Sequence, residues 1–261
     1  MSRVTSYTPG TPSWVDLMSS DPDGARRFYT AVFGWEAEVG PPEFGGYTSF
    51  KAGGDVVAGL VGQPAAEGMP TAWASYFDSD DSDATIKRIT DAGGTVMMGP
   101  DDVGQEGRLT IASDPQGGVF GVWEARNHTG AVRVNEPGTV SWNELVTRDL
   151  AAAKSFYSSV FGWTWDDLPG APGFSYSTFK VADRVVGGAL EMNEAFPPEI
   201  PVHWMVYFAV ADADATADAA TAAGGTVAEP PRDSDFGRNA LLVDPQGGMF
   251  RVIALPEGMA Q

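Results

Sequence analysis

No cysteine occurs anywhere in the 261 residues, and that absence removes disulfide stapling, thiolate nucleophiles and thiolate metal sites together. Histidine is almost as scarce. His128 and His203 are the full complement, so any chemistry here runs on few imidazoles, and no Ser-His-Asp set stands in a recognisable nucleophile setting. Positive charge is thin as well: 16 Lys and Arg against 35 Asp and Glu give a formal net charge of −19, with no basic cluster against that field. Nucleic acid and anionic membrane surfaces are poor partners for such a chain. The acidity reads most simply as a solvated surface, although a cationic ligand would also suit it. Long apolar runs are missing too. Residues 1–12 lack the apolar centre of a signal peptide and no later stretch could span a bilayer, so the expectation is a soluble cytoplasmic protein.

What the chain does have is apolar and aromatic surface, 43% and 11% of residues, enough for real cores rather than global disorder. Its length suits two ordinary domains. An internal repeat makes that division concrete. Residues 12–35, PSWVDLMSSDPDGARRFYTAVFGW, match residues 140–163, VSWNELVTRDLAAAKSFYSSVFGW, without gaps at 11 of 24 positions. The echo continues through SFKAGGDVVAGL and TFKVADRVVGGA, then through WASYF and WMVYF, a shared AGGTV, and DPQGGVFGV against DPQGGMFRV, while the offset drifts from 128 to 129, 131 and 130. Small loop insertions account for the drift.

Local signals repeat with it. Trp14 to Met18 alternates like a strand. Asp21 then stands as an N-cap with Pro22 at the first helical position, and Ala25, Phe28, Tyr29, Val32 and Phe33 form one apolar stripe up to Gly34. Asp149, the stripe from Ala153 to Phe161, and Gly162 repeat the pattern. Tyr29 and Tyr157 therefore read as core residues rather than catalytic ones. Second helices are expected over about Asp83 to Ala92 and Asp214 to Ala223, each stopped by Gly-Gly. Asp114-Pro115-Gln116-Gly117 and Asp244-Pro245-Gln246-Gly247 fit type I turns in hairpins. Neither has the lysine or the following helix of a phosphate loop.

The order of these pieces, a strand, a capping Asp, a helix ending FYxxVFGW, a second strand and helix ending AGG, and a DPQGG hairpin, resembles the vicinal-oxygen-chelate superfamily of glyoxalases, bleomycin-resistance proteins and dioxygenases. It is most similar to the tandem actinobacterial glyoxalase-like or hydroxylase type. The resemblance implies an α+β fold of two tandem domains, residues 11–124 and 138–254 joined by a linker at 125–137. Each domain would comprise two βαβββ units forming a cupped mixed sheet around a small-molecule cavity.

Metal-dependent members of that superfamily carry two His and a Glu at set strand positions. Counting along this sequence puts Trp14, Ala74 and Gly121 there in the first half and Trp142, Met205 and Arg251 in the second. None of these is an ordinary ligand of a divalent ion. No metal and no cofactor is therefore expected, with His203 and Glu191 as the stray donors that a shifted strand could bring in.

If Trp14 and Trp142 point into the cups, period-two alternation also turns Asp16 and Glu144 inward. These are the candidate acid–base residues; the alternative is a carboxylate satisfied by backbone or by an inward Arg, with Arg251 the natural partner of Glu144. Tyr76, Trp123, Met205 and Tyr207 complete the candidate ligand-binding set with Trp14, Trp142 and Arg251, each weighed against plain core packing. Arg108 and Arg238 match one another and could meet a ligand carboxylate or serve as structural arginines. The resulting expectation is a metal-independent small-molecule binding protein, the alternative being a glyoxalase-, isomerase- or hydroxylase-type enzyme using Asp16 or Glu144. Oligomeric state is open, since a tandem pseudo-dimer suffices as a monomer.

Overall fold

A computed structural model describes residues 3–42, 45–62, 70–169 and 173–256. The first half runs β1 (Pro12–Ser19), α1 (Pro22–Phe33), β2 (Glu36–Val39), β3 (Thr48–Ala52), β4 (Asp55–Gly62), then β5 (Ala72–Asp78), α2 (Ser82–Asp91), β6 (Thr95–Val103), β7 (Gly107–Ser113) and β8 (Val119–Ala125). The second half repeats this order as β9 (Thr139–Thr147), α3 (Leu150–Phe161), β10 (Thr164–Leu168), β11 (Tyr176–Val181), β12 (Arg184–Glu191), β13 (His203–Ala209), α4 (Ala213–Ala222), β14 (Thr226–Ser234), β15 (Gly237–Val243) and β16 (Met249–Ala254). Each half is thus two βαβββ units, and each forms one eight-stranded mixed sheet, β2-β3-β4-β1-β5-β8-β7-β6 and its counterpart β10-β11-β12-β9-β13-β16-β15-β14. In both sheets the two units join through their first strands, β1 antiparallel to β5 and β9 antiparallel to β13.

The helix boundaries follow local chemistry. The Asp21 side chain accepts from Gly24 N–H at the start of α1, and Asp149, Asp81 and Asp212 cap α3, α2 and α4 in the same way. Gly34 and Gly162 close α1 and α3 in the left-handed conformation at φ 70° and 72°, where any side chain would be strained. The second helices lie within a residue of their expected spans.

The packing differs from two domains with private cores. One apolar cluster joins Leu17, Phe28, Tyr29, Trp35 and Phe50 of the first half to Phe208, Ala217, Leu242 and Phe250 of the second. Its mirror joins Phe77, Ile89 and Phe120 to Phe156, Tyr157, Trp163 and Phe179. The helix-bearing faces of the two sheets therefore face one another, with α1 against α4 and α2 against α3.

The repeated motifs are the contacts of this arrangement. The Tyr29 hydroxyl accepts from Trp73 Nε1 at 2.9 Å and donates to Asp244 Oδ2 at 2.9 Å. Tyr157 likewise accepts from Trp204 at 3.1 Å and donates to Asp114 at 3.1 Å. The FY pair of each half thus meets the DPQGG hairpin of the other. The AGG motif has the same logic: a Cβ on Gly94 would come within 2.8 Å of Phe156, and one on Gly225 within 2.7 Å of Phe28. Trp35 and Trp163 donate their indole N–H groups to Gly138 and Gly10 carbonyls across the boundary, at 2.8 and 2.9 Å.

Candidate functional site

The opposite, concave face of each sheet carries the candidate residues. In the first cup Asp16, 7% exposed, sits in the middle of the sheet, where β1 pairs it with Gly59 on one side and Ala74 on the other. Its Oδ1 accepts from Tyr76 Oη at 3.0 Å and its Oδ2 from Tyr47 Oη at 3.3 Å, while Trp14 Nε1 donates to that same Tyr47 oxygen at 3.0 Å. The second cup repeats this arrangement. Glu144 Oε1 accepts from Tyr207 Oη at 2.9 Å, Tyr176 lies beside the carboxylate as a second donor, and Trp142 Nε1 donates to Tyr176 Oη at 2.9 Å.

Tyr47 and Tyr176 are the functional-face residues that the sequence reading did not single out. Their signal was the repeat itself, because YTSFK and YSTFK extend the matching segment by one tyrosine at the same offset. A glycine makes the reach possible. Gly59 pairs with Asp16, Gly188 pairs with Glu144, and a Cβ at either would lie within 1.8 or 2.2 Å of the tyrosine oxygen that crosses above it.

Burial sets the electrostatics. The Asp16 carboxyl is pushed up to about 6 by desolvation, which outweighs the two phenol hydrogen bonds that favour the anion. Glu144 is raised for the same reason, with Tyr176, Tyr207 and the charge of Arg251 pulling it back. The four phenols are all raised, by burial first and by the neighbouring carboxyl second, so they stay protonated and donating.

The cups differ beyond this shared set. Segment 126–134 lies against the first cup: His128 stands edge-on to Trp14 at 4.4 Å between ring centroids, Trp123 Nε1 donates to the His128 carbonyl at 2.7 Å, and Ala131 packs with Trp14, Tyr76 and Trp123. Burial pushes the His128 imidazole down to about 4, so it is neutral there. Trp14, Tyr76 and Trp123 are accordingly buried, whereas Trp142, Tyr176, Tyr207 and Arg251 are only partly so. Met205 is buried beside Glu144 on the central strand.

Arg251 departs from the expected pairing. Its guanidinium reaches along the sheet, donating to Glu229 Oε1 at 2.9 Å and Asn239 Oδ1 at 3.2 Å, and lies 5.8 Å from the Tyr207 ring centre. The phenols already occupy Glu144, and the acidic partner on β14 is the one within reach. Arg108 pairs with Asp83 and Glu124, and Arg238 with Asp214 and Asp233. Glu191 accepts from Leu150 N–H at the start of α3, on the helix side of the sheet, and His203 Nδ1 lies 2.8 Å from the Pro201 carbonyl.

Residues 11–121 match the model of the glyoxalase/bleomycin resistance protein/dioxygenase superfamily, and residues 142–253 that of a glyoxalase-like domain. The protein named "Putative glyoxylase CFP32" of Mycobacterium bovis is 44% identical over 97% of this chain and 98% of its own length. The chain belongs to the glyoxalase/bleomycin resistance/dioxygenase superfamily. Another full-length relative in the superfamily is the anthracycline biosynthesis protein DnrV of Streptomyces peucetius, 39% identical over 98% of this chain and 97% of that protein. Among solved superfamily folds, the Mn(II)-bound glyoxalase of Novosphingobium aromaticivorans superposes with a TM-score of 0.66 at 21% identity, covering 98% of this chain and 87% of that one. The 2,3-dioxygenase LapB of Pseudomonas sp. KL28 gives 0.65 at 14%, covering 98% and 97%.

The donors in these cups do not fit the divalent ion seen in the manganese-bound glyoxalase. The first cup offers Asp16, accepting from two phenols, and the second offers Glu144, likewise taken by phenols, with Glu229 held by Arg251; among the described residues no group of three His, Cys, Asp or Glu side chains converges. In the second cup a guanidinium stands over the same face, adding positive charge where a cation would have to sit.

Proposed function

We propose that the chain is a metal-independent small-molecule binding protein whose working cup is the second one, taking a planar aromatic ligand with an acidic oxygen. The observation carrying this reading is the pairing of Arg251 with partly exposed Trp142, Tyr176 and Tyr207 around a carboxyl that is already satisfied. Flat rings supply stacking area, and the guanidinium supplies a fixed donor for an anionic oxygen. Phe174, 48% exposed and parallel to the Tyr176 ring at 6.0 Å, extends the aromatic surface outward. The relative named for anthracycline biosynthesis supports the same class, since anthracyclines are planar, polycyclic and phenolic.

The direct test is a tryptophan-fluorescence titration with a dihydroxyanthraquinone, with and without EDTA. Binding unchanged by EDTA and weakened about ten-fold or more by Arg251→Met is expected, the range of a lost charged hydrogen bond. Binding that disappears with EDTA, or that survives Arg251→Met and Trp142→Ala undiminished, contradicts it.

A second reading, acid–base catalysis by Asp16 or Glu144, draws on the raised carboxyls, since a group held near 6 can both take and give a proton at neutral pH. Turnover of a bound ligand that is abolished in Asp16→Asn/Glu144→Gln would establish it; turnover retained in that variant excludes it.

A further inference from the structure

The two copies differ at the start of β5 and β13. In β13, His203, Met205 and Tyr207 alternate onto one face, opposite Val146, Glu144 and Trp142 of β9. Tyr207 donates to Glu144, so this is the inner face of the second cup, while Trp204 turns the other way and donates to Tyr157 in the core. The same register in the first half sets Ala72, Ala74 and Tyr76 opposite Met18, Asp16 and Trp14. Ala72 therefore holds the place of His203. The scaffold needs no imidazole there, and the histidine stands in the cup that also carries Arg251 where the first copy has Gly121.

The ring is oriented. Its Nδ1 lies 2.8 Å from the Pro201 carbonyl, an oxygen that can only accept, so Nδ1 carries the proton and Nε2 of the neutral ring is a bare acceptor. Among the described residues no hydrogen bond reaches Nε2. Burial lowers the proton affinity of the imidazole, the Pro201 bond restores part of it, and the charge of Arg251 lowers it again. The guanidinium and the ring are thus close enough to feel one another. His203 is only partly exposed, and Met249, two residues before Arg251 on β16 and 46% exposed, shares the face by alternation. Beside its aromatic walls the cup presents one fixed donor and one fixed acceptor.

We infer that the second cup selects hydroxylated planar aromatics, with His203 Nε2 accepting from a ligand hydroxyl while Arg251 holds the acidic oxygen. This rests on the reading of that cup as an aromatic-ligand site and adds the residue that tells one such ligand from another. An acceptor aimed at the ligand favours an O–H over a C–H at the same place, because a ligand without the proton leaves Nε2 desolvated and unpaired.

The test uses the full chain in buffer containing EDTA and follows tryptophan fluorescence with two probes. Anthraquinone-2-sulfonate offers Arg251 an anion and no hydroxyl; 3,4-dihydroxyanthraquinone-2-sulfonate adds the hydroxyls. His203→Ala installs the residue of the first copy at a partly exposed position, so the fold is kept. Wild type should bind the hydroxylated probe about ten-fold more tightly, and His203→Ala should erase that preference while holding anthraquinone-2-sulfonate within about two-fold of wild type. No preference in wild type, a preference that survives in His203→Ala, or an equal loss for both probes overturns the inference and leaves the aromatic-ligand reading standing. Failure of wild type to bind either probe contradicts that reading, and the inference falls with it.

Discussion

Asp16 and Glu144 lie among indole and phenol rings on the inner faces, and the two phenols beside each compensate only part of what burial costs. For Asp16 the sign follows from its raised carboxyl. The stability this group supplies is fully present below its unfolded value of 3.8 and is lost as pH rises through about 6, because the folded state keeps a proton that the unfolded state has released; the loss is about 3 kcal/mol. Asn cannot titrate. The midpoint of Asp16→Asn relative to wild type should therefore improve between pH 4 and pH 7, and a constant difference across that range would contradict the burial account. Comparison at each pH cancels His128, whose contribution runs the other way: a neutral imidazole held down to about 4 gives stability present above 6.5 and lost as pH falls. Tyr207→Phe removes the hydroxyl that donates to Glu144 and should cost about 1–3 kcal/mol, measured by denaturant unfolding at neutral pH. The inward placement of Asp16, Tyr76, Glu144 and Tyr207 was legible from strand alternation. What held the carboxylates was not, because Tyr47 immediately precedes β3 and Tyr176 opens β11, two strands away across β4 and β12, and only the register shows them crossing over Gly59 and Gly188.

The helices and hairpins act in pairs drawn from different halves. The helix α1 places Tyr29 on Asp244 and α3 places Tyr157 on Asp114, while the same aspartates hold their own turns through Gln116, Gly118, Gln246 and Gly248 N–H groups. Tyr157→Phe should then leave a buried carboxylate one donor short. The expected cost is about 1–3 kcal/mol, at roughly 2–4 °C of midpoint per kcal/mol for a chain of this size. A scanning-calorimetry trace unchanged by the substitution would show the clasp to be idle. The stripe, caps and turns of these elements could be read directly, since they depend on neighbours within four residues. Their partner could not: FYxxVFGW, AGG and DPQGG say that something packs there, and a duplicated sequence is silent on which copy supplies it. The 126–134 segment illustrates the same limit, reading as a linker while His128 and Ala131 line the first cup.

At the scale of the whole molecule, the duplication is a single interlocked body with two unlike inner faces. Because Phe28 and Tyr29 share a core with Phe208 and Phe250, residues 1–133 alone should fail to form a monomeric cooperative fold, as circular dichroism with size exclusion would show; a monomeric half with a sharp thermal transition would contradict the shared core. Both copies keep the residues that bind them together, and they diverge at Asp16 and Glu144, Gly121 and Arg251, and Ala72 and His203. The repeated residues serve assembly, and the proposed ligand binding rests on divergent ones in the second cup. The central claim is that the cups bind without a metal. Elemental analysis of protein purified without chelator, after loading with manganese and desalting, tests it most directly. Metal far below one ion per chain is the expected result, and a stoichiometric, retained divalent ion would contradict it.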